Sequence, residues 1–150
     1  MSQQENTKTQ IKSRQRVAQH GEVFTNPREV NAMLDLVRDE SFRLDSRFLE
    51  PACGDGNFLI EILRRKLSLL SSVKSSTEWE FNSLIAVGSC YGIELLEDNA
   101  EACRERLFAE VIGTQSSSLR ITDSTAGETP AHQTAGRMPA YQLSLRYMLH

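Results

Sequence analysis

The spacing of apolar residues predicts a helix that starts near residue 26. Within residues 30–37, apolar side chains recur at the three- and four-residue intervals of one helix face. Asn26 and Pro27 precede them and form a typical helix start, because Asn caps the first turn and Pro fits its first position. We expect this helix to end near Glu40.

A strand, a glycine-rich turn and a second helix follow in the pattern. Residues 47–50 are short and partly apolar, and Pro51 ends them as a strand. Residues 57–70 repeat apolar side chains at helical spacing. Gly54 and Gly56 lie between, and glycine allows backbone angles that let a ligand approach the main chain.

The next segments predict a second strand between helices. Residues 71–77 are a linker, and residues 78–88 indicate a helix. Residues 91–95 indicate a short strand, and Asp98 or Asn99 can cap a further helix. Strands that alternate with helices are typical of α/β proteins. We therefore expect a strand–helix–strand–helix fragment with room for two parallel strands.

Composition divides the chain into three parts. Residues 1–20 are polar and basic, and we expect a loose or partly ordered arm. Residues 21–112 contain the periodic segments and form the structured part. Residues 113–140 hold few large apolar side chains, too few to offset the entropy lost on ordering. Residues 113–150 are therefore predicted to be a disordered tail.

Charge and cysteine content narrow the possible functions. The net charge of −3 is unusual for a protein that binds DNA unaided. The basic arm and residues 64–66 are the candidates for DNA contact, although we favour a solvated surface for both. The cysteines form no CxxC pair and the histidines are scattered, so we expect no disulfide framework and no metal site. No secretory signal or membrane span is apparent, and a cytoplasmic location is expected.

The turn after the first strand has the chemistry of a site for an amino-acid-like ligand. Glu50 ends the strand and can meet an ammonium group. The helix that begins at Asn57 offers unpaired N–H groups and the positive end of its dipole to a carboxylate. A dinucleotide site fits less well, because Leu59 replaces the third glycine of that pattern and the next strand-end acid, Glu94, lies too far along. A turn without a ligand stays an alternative.

Three short motifs resemble those of S-adenosylmethionine-dependent DNA methyltransferases that act on amino groups. Residues 50–59, Glu-Pro-Ala-Cys-Gly-Asp-Gly-Asn-Phe-Leu, resemble their motif I. Residues 20–25, His-Gly-Glu-Val-Phe-Thr, resemble motif X, and residues 91–95, Tyr-Gly-Ile-Glu-Leu, resemble motif II. The order X, I, II is that of adenine-N6 methyltransferases of restriction-modification and phage-defence systems. The resemblance covers about residues 12–111. It implies an incomplete Rossmann-like, class I methyltransferase fold, with a partial parallel sheet and flanking helices.

The resemblance implies a binding site for S-adenosylmethionine. The residues implied in it belong to the three motifs: Phe24, Thr25, Glu50, Pro51, Ala52, Gly54, Gly56, Phe58, Glu94 and Leu95. Motif X would line the methionine end and motif I would surround the amino-acid part. Glu94 would accept hydrogen bonds from both ribose hydroxyls, and Leu95 would pack beside the adenine ring. Phe58 equally suits the core, and Thr25 also suits the helix start.

Two departures from the family pattern change what the resemblance implies. Asn26 replaces the usual proline after Phe-Thr, with Pro27 one place later. The catalytic motif IV, Asn/Asp-Pro-Pro-Tyr/Phe, has no counterpart, because the sequence contains no Pro-Pro. We expect a truncated adenine-N6 methyltransferase without catalytic residues of its own, whose partners are DNA and a second methyltransferase or restriction subunit. The alternative is a non-catalytic subunit of a split enzyme that binds the cofactor or a partner chain.

The 150-residue chain alone is predicted not to methylate DNA. Transfer to an exocyclic amino group needs acceptors that stabilise positive charge on the nitrogen and a platform for the flipped base. Purified protein with labelled cofactor and mixed genomic DNA should give no adenine methylation above background. Methylation that disappears in Gly54→Trp would contradict this prediction. Methylation only after addition of a chain carrying Asn-Pro-Pro-Tyr would support the split enzyme.

Overall fold

A computed structural model describes residues 10–123. Residues 1–9 and 124–150, which hold much of the predicted arm and tail, lie outside the described residues. The helices and strands follow one another in this order: α1 (Arg14–His20), α2 (Pro27–Asp35), α3 (Arg38–Ser41), β1 (Phe48–Glu50), α4 (Asn57–Ser68), α5 (Ser76–Gly88), β2 (Cys90–Gly92) and α6 (Glu97–Asp123). Of these helices, none is both long and apolar enough to cross a membrane.

The predicted helix start at Asn26 is confirmed. The Asn26 side chain accepts a hydrogen bond from the Arg28 backbone N–H at 2.9 Å, and Pro27 is the first helical residue. The replacement of the family's proline by Asn26 therefore leaves the start of α2 intact. The helix ends at Asp35 rather than near Glu40, and α3 follows as a separate short turn.

The two strands pair in parallel, with Phe48 opposite Cys90 and Glu50 opposite Gly92. One sheet face carries Phe48 and Cys90, which pack against the core beneath the helices. Leu49 and Tyr91 point to the other face. Leu49 is 63% exposed and Tyr91 is 47% exposed. The prediction of an α/β chain with two parallel strands is confirmed, and the described residues cover one face of the sheet only.

Helix α4 is the centre of the core. It contacts α2, α5, α6 and both strands, and it carries the fully buried Leu59, Leu63 and Leu67. Each such side chain contributes roughly 1.5–3 kcal/mol through burial. Trp79 of α5 and Val111 of α6 are also buried. The apolar face predicted for residues 57–70 is thus the main packing surface of the molecule.

Two segments are more helical than the sequence pattern predicts. Residues 14–20 of the expected loose arm form α1, which Ser13 caps by accepting from the Arg16 N–H at 3.1 Å. Helix α6 continues to Asp123, beyond the expected boundary at residue 112. Its face that buries Val111 also buries Gln115 one turn later. Packing on α4 thus extends the helix into a segment of weak apolar character.

The basic residues 64–66 divide between surface and interior. The Arg65 guanidinium is buried and donates to Asn31 Oδ1 at 2.9 Å. The Lys66 ammonium is also buried and donates to the carbonyls of Leu44 at 3.2 Å and Ser46 at 2.5 Å, and to the Ser89 hydroxyl. Burial lowers the pKa of Lys66. The expectation of a solvated or DNA-contacting helix face is wrong for Arg65 and Lys66, because both side chains serve as internal hydrogen-bond donors.

Replacement of Lys66 by Met is predicted to lower the free energy of unfolding by about 2–4 kcal/mol, because buried carbonyls lose their donor. Urea unfolding followed by circular dichroism measures this loss. The exposed Lys74→Met is the control and should change stability by less than about 0.5 kcal/mol. Equal stability of the two variants would contradict the structural role of Lys66.

Candidate functional site

A cleft of about 660 Å³ lies where the two strands end and their following turns begin. Ligands of α/β proteins commonly bind at this carboxyl edge of the sheet. We term residues 19–25 the first wall of the cleft, residues 50–58 apart from Gly56 its floor, and residues 93–96 with Asn99 its second wall. The segments that resemble motifs X, I and II therefore surround one space.

The structure brings together nearly all the site residues predicted from the sequence. Those that line the cleft are Phe24, Thr25, Glu50, Pro51, Ala52, Gly54, Phe58, Glu94 and Leu95. Phe58 also packs against the core. Gly56 is the exception, because it does not line the cleft.

Glu94 joins the two strand ends across the cleft. Its Oε2 accepts a hydrogen bond from the Gly54 N–H and its Oε1 accepts from the Leu96 N–H, each at 2.8 Å. A carboxylate oxygen accepts more than one hydrogen bond, so each can also receive a ligand hydroxyl. Glu94 thus holds the turn in shape and remains available to a ligand.

Glu50 is the acid of the cleft without a protein partner. Its backbone carbonyl accepts from the Ile93 N–H at 2.9 Å, which fixes the strand end. Its half-buried carboxylate makes no hydrogen bond or salt bridge within residues 10–123. A carboxylate held in this way can bind a cationic ligand group without giving up an internal contact.

The first turn of α4 offers backbone donors to the same cleft. Gly56 occupies the cap position with φ +92° and supplies no side-chain acceptor to the first N–H groups. The Asn57 amide is used elsewhere: its Nδ2 donates to the Thr25 carbonyl at 3.1 Å, and its Oδ1 accepts from Arg106 at 3.0 Å. The helix start is therefore held in place while its positive end stays free for an anion.

The wall formed by residues 19–25 touches the floor at Gly54. A Cβ atom on Gly54 would lie 3.1 Å from Cε1 of the Phe24 ring, and its φ is +54°. Only glycine combines that backbone conformation with so close a ring. Gly54 thus allows the Phe24 ring to approach the turn after β1 closely. The Gly54 N–H remains directed at Glu94.

Gly56 allows close packing of the turn against α6. A Cβ atom there would lie 2.6 Å from Cys103 Sγ on α6. Burial raises the pKa of the Cys103 thiol to about 12 and also raises that of half-buried Cys53. Neither thiol is activated as a nucleophile.

The charge of the cleft selects among ligands. The acids that line it are Glu22, Glu50, Asp55 and Glu94, and among the described residues no lysine or arginine lines it. Asp55 pairs with Arg106 at 2.7 Å and Glu22 with Arg16, which leaves Glu50 and Glu94 to face the space. Such a lining favours a ligand with positive charge and disfavours the phosphates of a dinucleotide.

No protein-family model, curated protein or solved structure matches the chain. The chemistry of the cleft is therefore assigned from its geometry together with the resemblance of the three motifs. Sequence reasoning missed three side chains that shape it: Arg16, Asn57 and Asn99. Asn57 lies inside the segment that resembles motif I, so its position could have indicated a role at the site. Arg16 and Asn99 lie outside the motifs.

Replacement of Gly56 by Ala is predicted to lower the free energy of unfolding by about 2 kcal/mol or more, through the strained backbone and the clash with Cys103. Chemical denaturation measures this change. Gly113→Ala is the matched control, because a Cβ there meets nothing within 4 Å inside α6. The control should stabilise the helix by about 0.5–1 kcal/mol. A neutral Gly56→Ala would refute the close contact with α6.

Proposed function

We propose that the cleft binds S-adenosylmethionine and that the chain is the cofactor-binding part of a DNA adenine-N6 methyltransferase with a Rossmann-like fold. One observation carries this proposal: an unpartnered carboxylate, Glu50, shares a cleft with the uncapped start of α4 and with Glu94. Glu50 would match the ammonium group of the cofactor, and the start of α4 would match its carboxylate. Glu94 would match its ribose.

The amino-acid end of the cofactor fits the floor of the cleft. Glu50 would bind the ammonium group through a charge-assisted hydrogen bond, which is stronger than a neutral one. The N–H groups of the first turn of α4 would bind the carboxylate. Phe24 and Thr25 would enclose the methionine chain from the motif X side. These contacts need no movement of the turn, because Gly54 and Glu94 already hold it.

The nucleoside end fits the wall after β2. Glu94 would accept from the ribose hydroxyls with the lone pairs that Gly54 and Leu96 leave unused. Leu95 lies on this wall and is 87% exposed, so its side chain would gain burial beside an adenine ring. The acids also favour a cofactor with a positively charged sulfonium over an anionic nucleotide.

The bound cofactor would supply an electrophilic methyl group. The chain's own residues would bind it, orient it and exclude water at the Phe24 wall. No residue of the cleft is assigned to the acceptor amino group. We therefore propose that DNA and the acceptor-binding motif meet this cleft from a further part of the enzyme or from a second methyltransferase subunit.

The alternative function is a non-catalytic binding subunit of a split methyltransferase. The observation that favours it is the uncovered sheet face, where Leu49, Tyr91 and Ile93 are exposed. Parallel sheets are ordinarily covered on both faces. A partner chain that carries the remaining strands and helices would cover these side chains.

Titration calorimetry with S-adenosylmethionine tests the proposal. The wild-type chain is expected to bind it, and Glu50→Gln should weaken binding by about 1.5–3 kcal/mol, or roughly 10- to 150-fold, through loss of a charged hydrogen bond. Glu101→Gln removes an exposed acid of α6 and serves as the control, with affinity unchanged. Absence of wild-type binding, or equal affinity of Glu50→Gln and wild type, would refute the assignment of the cleft.

A further inference from the structure

Residues 10–25, which we term the strap, border the cleft along one side. The second half of the strap, residues 19–25, forms the cleft wall. The Phe24 N–H donates to the Gln10 carbonyl at 2.8 Å, so the two ends of the strap are held together. The Phe24 ring then lies against Gly54 on the floor. The position of the strap thus decides whether the cleft is closed on this side.

Arg16 joins the strap to the start of α6. Its guanidinium makes a paired contact with Glu22 of the strap, at 2.5 Å from Nε and 2.9 Å from Nη2. It makes a second paired contact with Asp98 of α6, at 2.7 Å from Nη1 and 3.0 Å from Nη2. Bidentate contacts of this kind fix orientation as well as charge. Asp98 directly precedes Asn99 of the second cleft wall. Arg16 therefore links the strap to that side of the cleft.

Three further hydrogen bonds cross the same junction. The Lys12 ammonium donates to Asp98 Oδ2 at 3.0 Å and to Asn99 Oδ1. The buried Asn99 amide donates to Glu22 Oε1 at 2.6 Å. The hydrogen bonds of Arg16 and Lys12 hold the pKa of Asp98 well below its ordinary value. Asp98 is therefore ionised at neutral pH and can pair with both cations.

The two ion pairs of Arg16 differ in exposure. The Glu22 side chain is 7% exposed, whereas that of Asp98 is 54% exposed. Water and salt weaken an exposed pair far more than a buried one. The Arg16–Asp98 contact, which joins two elements, is thus easier to break than the Arg16–Glu22 contact within the strap.

We infer that Arg16 is a positioning residue that fastens the strap over the cleft. Ligand exchange proceeds through an opening in which the strap separates from Asp98 and Asn99 while Arg16 keeps Glu22. The identity of the ligand in this inference rests on the proposed function. The strap itself is defined by contacts within the free chain. Because opening breaks an exposed ion pair, salt accelerates ligand exchange.

Hydrogen–deuterium exchange on the free chain tests the fastening without any ligand. Arg16→Gln and Asp98→Asn are each expected to accelerate exchange of strap amides, including that of Phe24, by about three- to tenfold. Amides of α4 should keep the wild-type rate, which shows that the fold is intact. Arg14→Gln is the matched control, because Arg14 lies in the same helix, is exposed and has no partner in the described residues. Strap exchange as slow in both variants as in Arg14→Gln would overturn the inference.

Stopped-flow dissociation of S-adenosylmethionine tests the effect on the cleft. Arg16→Gln and Asp98→Asn should release it about three- to tenfold faster than wild type and Arg14→Gln. Raising the salt concentration should accelerate release from wild type and have a smaller effect on the two variants. Faster strap exchange with unchanged release would overturn the role of Arg16 at the cleft. A wild-type chain that binds no S-adenosylmethionine would overturn the proposed function, and the exchange rates alone would then decide whether the strap is fastened.

Discussion

The contact on which the candidate site depends is the pair of hydrogen bonds from Gly54 and Leu96 to the Glu94 carboxylate. Gly54 lies in the turn after β1, and Leu96 lies in the segment between β2 and α6. Each of these loops exposes backbone N–H groups that need acceptors. One carboxylate serves both, so the two strand ends keep a fixed separation. The cleft is therefore built before a ligand arrives, and a ligand hydroxyl adds to an existing arrangement. Pre-formed acceptors of this kind reduce the ordering that binding requires.

The local parts of this site were predictable from sequence. Helix caps, the strand–turn–helix unit and the acids after each strand are encoded within a few neighbouring residues, and Asn26 and Gly54 illustrate this. Nine of the ten residues that the motif resemblance implied lie along one cleft. Gly56 shows the limit, because its neighbour Cys103 comes from α6. No local pattern states which distant side chain will occupy the space beside a glycine.

Charged residues were predicted less well than apolar ones. Lys66 is a buried donor, although a run of three basic residues usually indicates a solvated surface. Its environment consists of the carbonyls before β1, which need a donor once the helices cover them. In the same way, α1 is joined to α6 by the pairing of Arg16 with Asp98, more than 80 residues along the chain. Long-range ion pairs leave no periodic signal, so the predicted arm could not be recognised as part of the cleft.

The division of the molecule into a covered and an uncovered sheet face bears on how binding and chemistry are shared. All described helices that contact the strands lie on the face of Phe48 and Cys90, and the cleft opens at the strand ends above them. The contacts proposed for the cofactor come from the turns after β1 and β2 and from the strap. A base brought to the cofactor needs acceptors for its amino group, and in an α/β sheet these are expected at the ends of further strands beside β1 or β2. The exposed Leu49 and Tyr91 show that the sheet has apolar surface left for the layer that such strands bring with them. Under the proposed function, these residues would bind the cofactor, and the neighbouring strands would bring the acceptors for the base.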